Sequence, residues 1–265
     1  MIDAPWAATR DQSAWDVRFD WATEGMAAIG PGAASVVVVD VLRFTTAVAV
    51  AVGRGAEVLP YVWAVGDAPR AYAEAHKAEL AGMREDGGWS LSPTDLARIP
   101  EGTRLVLPSP NGSTLAVGAA EAAPGVRVLA GCLRNAGAVG RVAAALAGPV
   151  AVVAAGERWS GALGPLRPSV EDLLGAGAVV DAVVAAGRDP AGASPEARAA
   201  RAAFQAARDD LAGWLADSAS GRELTERGWA DDVACAAALD AESVAPVLDG
   251  EAFRAVTPAA SGRVD

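Results

Sequence analysis

The run Val36-Val37-Val38-Val39, closed by Asp40, constrains this chain more than any other stretch of its sequence. Four consecutive β-branched residues are stiff at χ1 and favour extended backbone. An apolar run without polar alternation belongs to a strand buried on both faces, as in a parallel sheet. A carboxylate at the end of such a run is costly to bury unless it is paired, hydrogen-bonded or bound to metal. In open sheets of this kind ligands bind beyond the carboxyl ends of the strands, which makes Asp40 the first functional candidate. Arg43, three residues on, carries a fork of donors suited to phosphate or sulfonate; the alternative is an Asp40–Arg43 ion pair that only shapes the turn.

Strand, turn and helix patterns then alternate along the chain. Residues 42–46 turn into a helix that Thr45 or Thr46 is placed to cap, and Gly53 and Gly55 stop it. Residues 57–62 read as a strand, 67–80 as an amphipathic helix, and 82–102, rich in Gly, Pro and Ser, as a long excursion. A strand at 104–107 runs into Pro108-Ser109-Pro110-Asn111-Gly112-Ser113, where Gly-Ser opens another helix. A strand at 126–130, a helix at 135–147 and a strand at 150–155 follow, then a long helix to residue 186 capped by Ser169. Residues 189–217 read as an exposed Ala- and Arg-rich helix, and 247–256 as an edge strand. This order predicts a three-layer α/β/α fold around a largely parallel or mixed sheet, one domain over residues 1–265 with lobes at 30–125 and 126–256. Leu42-Arg43 and Ala47-Val48 recur as Leu133-Arg134 and Ala138-Val139, both 91 residues later. The echo is either a coincidence of two Ala/Val-rich βα units or a pair of equivalent anion-binding turns.

Composition excludes several function classes. A formal net charge of −11 offers nothing to repay phosphate repulsion from nucleic acid or an anionic membrane, although a few Arg at helix N-termini can still hold a small anion. No apolar stretch is long enough to span a bilayer. Two cysteines, Cys132 and Cys235, are too few to staple a secreted fold, and Asp3, Arg10, Asp11, Asp16, Arg18 and Asp20 do not suit a secretory leader, so the expected compartment is the cytoplasm. Gly53-Arg54-Gly55 has Val58 where a dinucleotide fingerprint needs glycine, and no Gly-Lys-Ser or Gly-Lys-Thr exists. Cys132 has Ala138, not Arg, six residues on, and Asp40 is followed two residues later by Leu42, not a second Asp. His76, the only histidine, reads as a solvated helix residue, which excludes His-based triads and zinc clusters.

The chemistry that remains is carboxylate and anion chemistry. Asn111-Gly112-Ser113 lies between a strand and a helix, where glycine lets backbone amides approach an anion. Glu157 ends the strand at 150–155, and Glu171-Asp172 occupy the first turn of the long helix. Converging with Asp40, these carboxylates would suit Mg²⁺, a hard ion that prefers oxygen ligands and retained waters; in a first helical turn, Glu171 and Asp172 also favour the dipole without any further role.

Several segments together resemble the 2-phosphosulfolactate phosphatase family of coenzyme M biosynthesis. They are Val39-Asp40-Val41-Leu42-Arg43-Phe44-Thr45-Thr46, Ser109-Pro110-Asn111-Gly112-Ser113, Ala130-Gly131-Cys132-Leu133-Arg134-Asn135, Val170-Glu171-Asp172-Leu173-Leu174-Gly175-Ala176-Gly177-Ala178, Gly221-Arg222-Glu223-Leu224 and Asp231-Asp232-Val233-Ala234-Cys235-Ala236. The resemblance implies a Mg²⁺-dependent phosphoric monoester hydrolase acting on a small acid that bears phosphate, carboxylate and sulfonate. Asp40 and Arg43 would be catalytic. Thr45, Thr46, Asn111, Gly112, Ser113, Arg134 and Asn135 would hold the anions, and Asp40, Glu157, Glu171 and Asp172 the metal. Ser220 stands where the family pattern places His, and the loop over 157–168 is longer than the pattern. The competing expectations are a non-catalytic or regulatory anion-binding protein on the same scaffold, and a different hydrolase or lyase using the same carboxylates. The sequence does not fix the oligomeric state, although an apolar, Ala-rich surface helix is compatible with a homodimer.

Overall fold

The computed structural model describes residues 7–63, 66–122, 125–160 and 164–257. Its strands are β1 (Val17–Trp21), β2 (Ser35–Val39), β3 (Glu57–Val62), β4 (Glu79–Leu80), β5 (Arg104–Ser109), β6 (Arg127–Gly131), β7 (Val150–Ala154), β8 (Glu157–Arg158), β9 (Leu166–Arg167), β10 (Ala245–Asp249) and β11 (Ala252–Val256). The helices are α1 (Ala7–Arg10), α2 (Ala22–Ile29), α3 (Phe44–Gly53), α4 (Ala68–Ala75), α5 (Pro93–Leu96), α6 (Gly112–Ala122), α7 (Ala136–Ala145), α8 (Val170–Ala185), α9 (Pro195–Ala207), α10 (Leu211–Asp217), α11 (Ala219–Glu226) and α12 (Ala230–Ala236).

The valine run forms β2, and all five of its residues are buried. It lies between β7 and β6, parallel to both, with Val37 opposite Val152 on one side and Leu129 on the other. Its side chains alternate between two cores: Val37 and Val39 join α7, α8 and α9, whereas Val36 and Val38 join α2, α3 and α6. Helices therefore cover both faces of the sheet, and the architecture is the three-layer α/β/α expected of a continuous apolar strand.

Nine strands make up that sheet, in the order β1-β7-β2-β6-β10-β11-β3-β5-β4. β1, β7, β2 and β6 run parallel to one another, as do β3, β5 and β4. Between these two parallel sets sits the antiparallel β10–β11 hairpin, which meets β6 only at Val247–Leu129 and β3 only at Phe253–Val58. The segment expected as an edge strand is thus the joint at the centre of the sheet. Short junctions in place of full ladders leave the two sets free to twist relative to each other. The turns that follow β2 and β5 meet at Asp40 and Gly112.

Two helical expectations are also corrected. Residues 67–80 divide into α4 and the short strand β4. Residues 189–217 are not one exposed helix: α9 and α10 are separate, and Ala197, Ala200, Phe204, Ala207, Leu211 and Leu215 are buried. The small residues serve close packing, since a Cβ on Gly177 of α8 would collide with the Ala200 carbonyl of α9. His76 lies just past α4, stacked on Tyr72 with Nε2 2.9 Å from Glu251. No helix among the described residues is long and apolar enough to cross a membrane.

Candidate active site

Asp40 leaves β2 and enters a turn that the following threonines tie down. Thr45 Oγ1 donates to the Asp40 carbonyl at 2.8 Å and accepts from the Asp40 amide at 2.9 Å. Thr46 Oγ1 donates to the Val41 carbonyl at 2.7 Å. Both hydroxyls are fully buried and spent on the backbone, so they shape the turn rather than cap α3 or bind a ligand. The Asp40 side chain, 6% exposed, accepts the Phe44 amide on Oδ1 at 3.2 Å and the Gly112 amide on Oδ2 at 2.8 Å. Gly112 belongs to the turn after β5, from the other parallel set. A Cβ there would strike the Phe44 ring and lie 2.7 Å from Asp40 Oδ2, which explains the glycine. Asn111, beside it, donates from Nδ2 to Glu157 Oε2 at 3.1 Å. Ser113 instead donates to the Leu107 carbonyl at 2.9 Å and closes its own turn.

Four carboxylates share this region, and burial with mutual repulsion makes their ionisation unfavourable. Burial, opposed by the Phe44 and Gly112 amides, pushes the Asp40 carboxyl up to about 6, with Glu171 adding to the rise. Burial and the Asp40 and Glu171 charges carry Glu157 up to about 7, against the pull of Asn111 and Arg167. Glu171 is 2% exposed, and its Oε2 has no hydrogen-bond partner among the described residues. An unsatisfied buried carboxylate oxygen is itself a cost, and a cation beside Asp40, Glu157 and Glu171 would relieve both it and the mutual repulsion. No three or more His, Cys, Asp or Glu side chains among the described residues are gathered as a ready metal cage. Mg²⁺ does not need one, because it binds through one or two carboxylates, waters and substrate phosphate. The residues present fit such an ion.

Asp172 does not belong with them. Its Oδ1 accepts the Val41 amide at 2.7 Å; its Oδ2 accepts the Gly156 amide at 2.9 Å and the Ser169 hydroxyl at 2.8 Å. Asp172 takes three donors where Asp40 takes two, and these tie α8 to the turns after β2 and β7, so the expected metal ligand serves as a brace. Ser169 serves this brace and makes no side-chain cap of α8.

Arg43 is paired with Asp232 rather than with Asp40, although its charge still favours the ionised Asp40 carboxylate. Its guanidinium donates to Asp232 Oδ2 at 2.6 Å and lies over the Trp229 ring, 4.6 Å from the centroid. Asp232 is fully buried and also accepts from Arg84 at 3.3 Å, Ser92 at 2.6 Å and the Thr94 hydroxyl at 2.7 Å. Arg43, Arg84 and Trp229 line a cavity of about 110 Å³ together with Pro108 and Pro110, just before Asn111. Surface grooves of about 690 and 880 Å³ lie elsewhere, against α7–α8 and against β1 with the β8–β9 hairpin, and neither is lined by Asp40 or Arg43.

Comparison with known proteins decides the family. The family profile described as 2-phosphosulpholactate phosphatase matches residues 27–251. A probable 2-phosphosulfolactate phosphatase of Parasynechococcus marenigrum (strain WH8102) is 34% identical over 222 residues, covering 79% of this chain and 87% of the relative. Its counterpart in Synechococcus sp. (strain WH7803) is 34% identical over 229 residues, 82% and 87%. That of Gloeobacter violaceus (strain ATCC 29082 / PCC 7421) is 31% identical over 221 residues, 79% and 86%. The chain belongs to the 2-phosphosulfolactate phosphatase family.

Among the segments that resemble the 2-phosphosulfolactate phosphatase family, the second Leu-Arg turn has a different use from the first. β2 and β6 are parallel neighbours, so Arg43 and Arg134 occupy equivalent turns. Arg134, however, donates to the Cys235 carbonyl at 2.8 Å and to Glu242 at 3.0 Å, and Asn135 folds back onto the Cys132 amide and the Ala130 carbonyl. Both residues therefore build structure around the α12 end of the molecule rather than facing Asp40. Ser220 accepts from Arg167 of the long loop at 3.0 Å, so the two departures from the family pattern touch each other. Sequence reasoning assigned no role to Arg84, Ser92, Thr94, Trp229 or Asp232. Only the Asp231-Asp232 pair carried a signal, two acidic residues opening an otherwise apolar helix.

Proposed function

We propose that this chain hydrolyses 2-phosphosulfolactate to sulfolactate and inorganic phosphate with Mg²⁺, in the cytoplasm. The observation that carries the reading is the meeting of the Asp40 turn with the Asn111–Gly112 turn, beside Glu157 and the unpartnered Glu171 oxygen. The relatives' names supply the substrate, and free Cys132 and Cys235 accord with a reducing compartment.

Asp40 and Glu171 are the residues to hold the ion, with Glu157 next to them. When bound, Mg²⁺ would offset the charge of the phosphoryl oxygens. In the reaction a water oxygen gives up a proton and forms a bond to phosphorus, the bond from phosphorus to the lactate oxygen breaks, and that oxygen takes up a proton from solvent to leave as the hydroxyl of sulfolactate. Positioning and charge neutralisation supply most of such catalysis. Gly112 and Phe44 fix the Asp40 carboxylate from two sides, which sets its orientation before substrate arrives. Glu157, carried up to about 7, is suited to accept the proton lost by the attacking water near neutral pH.

The test is inorganic phosphate release from 2-phosphosulfolactate and a panel of phosphorylated 2-hydroxy acids, in Mg²⁺ or EDTA, by the wild type and Asp40→Asn. Metal-dependent release that the substitution removes supports the proposal. Release that persists in EDTA removes the metal from it. No release from any member points to an anion-binding protein without turnover.

A further inference from the structure

The cavity beside the Asp40 turn has a wall that phosphate transfer alone does not require. Arg43 and Arg84 come from segments far apart in sequence and are locked on one buried carboxylate oxygen, Asp232 Oδ2, at 2.6 and 3.3 Å. Both guanidinium groups also lie over Trp229, Arg43 at 4.6 Å and Arg84 at 5.9 Å from the ring centroid. Asp232 takes only Nη1 of Arg43, whose other donors have no hydrogen-bond partner among the described residues, and this guanidinium lines the cavity together with Arg84. Arg84 is further held by Thr94 Oγ1 at 3.4 Å and by Asp95 at 3.6 Å, and Asp95 in turn pairs with the exposed Arg98. Ser92 and Thr94 saturate the other oxygen of Asp232, which fixes the pair before any ligand arrives. Planar cations held in advance on a carboxylate and an aromatic face lose little freedom when they bind an oxyanion.

We infer that the Arg43–Arg84 pair over Trp229 is a second anion subsite, and that Arg84 selects phosphate esters carrying a second acidic group beside the phosphate. The inference rests on the proposed phosphatase reading and deepens it. The cavity is lined by Arg43, three residues after Asp40, and by Pro110, one before Asn111, so it borders both turns of the proposed centre. Arg43 belongs to both regions, whereas Arg84 comes from the excursion at 82–102 and touches only the subsite. Arg84 therefore acts on which ester binds, and Asp40 on whether it is cleaved.

The experiment pairs kinetics with equilibrium binding, using wild type, Arg84→Gln, Arg84→Lys and, as a control for surface charge, Arg98→Gln. Arg84→Gln is expected to raise KM for 2-phosphosulfolactate by about tenfold or more while kcat stays within about twofold, the loss of one charge-assisted contact. With p-nitrophenyl phosphate, which has no second acidic group, KM should stay unchanged. Calorimetric titration with sulfolactate, which lacks the phosphate, should show wild-type binding that Arg84→Gln weakens by a similar factor, with Arg84→Lys in between and Arg98→Gln like wild type. Equal KM and equal sulfolactate affinity in Arg84→Gln and wild type overturn the subsite and leave the phosphatase standing. Absence of wild-type sulfolactate binding overturns it as well. If no ester is hydrolysed but sulfolactate still binds through Arg84, the phosphatase reading fails and the subsite stands.

Discussion

The Gly112 amide meets the Asp40 carboxylate at 2.8 Å from across the sheet, linking the turn after β5 to the turn after β2. This contact is where the two parallel strand sets meet at the proposed centre, and it leaves no room for a side chain. Gly112→Ala would press a methyl group against the Phe44 ring and Asp40 Oδ2. Overpacking of this kind costs about 1–3 kcal/mol. A displaced carboxylate should reduce phosphate release by about 10- to 100-fold, since small misplacements at a reacting centre are expensive. Denaturant unfolding and steady-state kinetics on the one variant check both figures. Full activity with the methyl present would mean that the Asp40–Gly112 contact has no part in catalysis.

Asp40→Asn separates charge from shape. Burial pushes the Asp40 carboxyl from 3.8 to about 6, so holding it ionised at pH 8 costs the fold about 3 kcal/mol. The neutral amide removes that cost but turns an N–H₂ toward either Phe44 or Gly112, which costs about 1–3 kcal/mol for the unpaired donor. These opposing effects are of the same size. Thermal unfolding at pH 8 in EDTA should therefore move by no more than about 5 °C, while phosphate release falls by about a thousandfold. A large drop in melting temperature would show that Asp40 is mainly structural.

Much of this arrangement was legible in the sequence, for identifiable reasons. The four valines announced a doubly buried strand, and a buried strand ending in Asp40 announced a site. Asn111-Gly112 between a strand and a helix announced an amide turn, though not that it would reach Asp40. The partners of Arg43 were not legible: Asp232 lies 189 residues away and Arg84 148 residues from Asp232, and no local pattern encodes such pairings. β1 was missed because Arg18 and Asp20 interrupt its apolar residues. Arg18 is nevertheless buried, donating to the carbonyls of Trp15, Ile29 and Pro31. The position of β10–β11 was misjudged because a short strand carries the same pattern at an edge or at the centre. In α9, alanines that look neutral by composition are the close-packed face against α8.

Asp172 and Glu171 are neighbours with opposite expected roles, and substitution distinguishes them. Asp172→Ala strands the Val41 and Gly156 amides and the Ser169 hydroxyl, all now satisfied by one carboxylate. Each unpaired buried donor costs about 1–3 kcal/mol, so a loss of about 3 kcal/mol or more in denaturant unfolding is expected. Glu171→Gln strands nothing on Oε2, which has no hydrogen-bond partner among the described residues. It should leave unfolding within about 1 kcal/mol of wild type. The same change should weaken Mg²⁺ binding, read by calorimetry, by about tenfold. The reverse pattern would make Asp172 the ligand and Glu171 the brace.

The three raised carboxyls of the site contribute to the pH dependence of the fold, alongside Asp20, which burial also raises. Asp40 is raised to about 6 and Glu157 to about 7, while Asp172 is raised well above its ordinary value, mainly by burial and then by Asp40 and Glu171. The folded chain therefore holds protons that the unfolded chain releases near pH 4. Between those limits the native state binds more protons, so stability falls as pH rises. From pH 5 to pH 8 in EDTA the protein should lose stability, each affected group contributing up to about 1.4 kcal/mol per pH unit within its window. General repulsion in a chain of net charge −11 acts in the same direction. Glu157→Gln is therefore the necessary comparison: it should flatten the slope mainly between pH 5 and 7, where the folded chain keeps the Glu157 proton that the unfolded chain has released. Mg²⁺ should flatten it too, by favouring the ionised carboxylates at the expense of protons. An unchanged slope in Glu157→Gln would mean that the folded chain binds no extra proton at that residue.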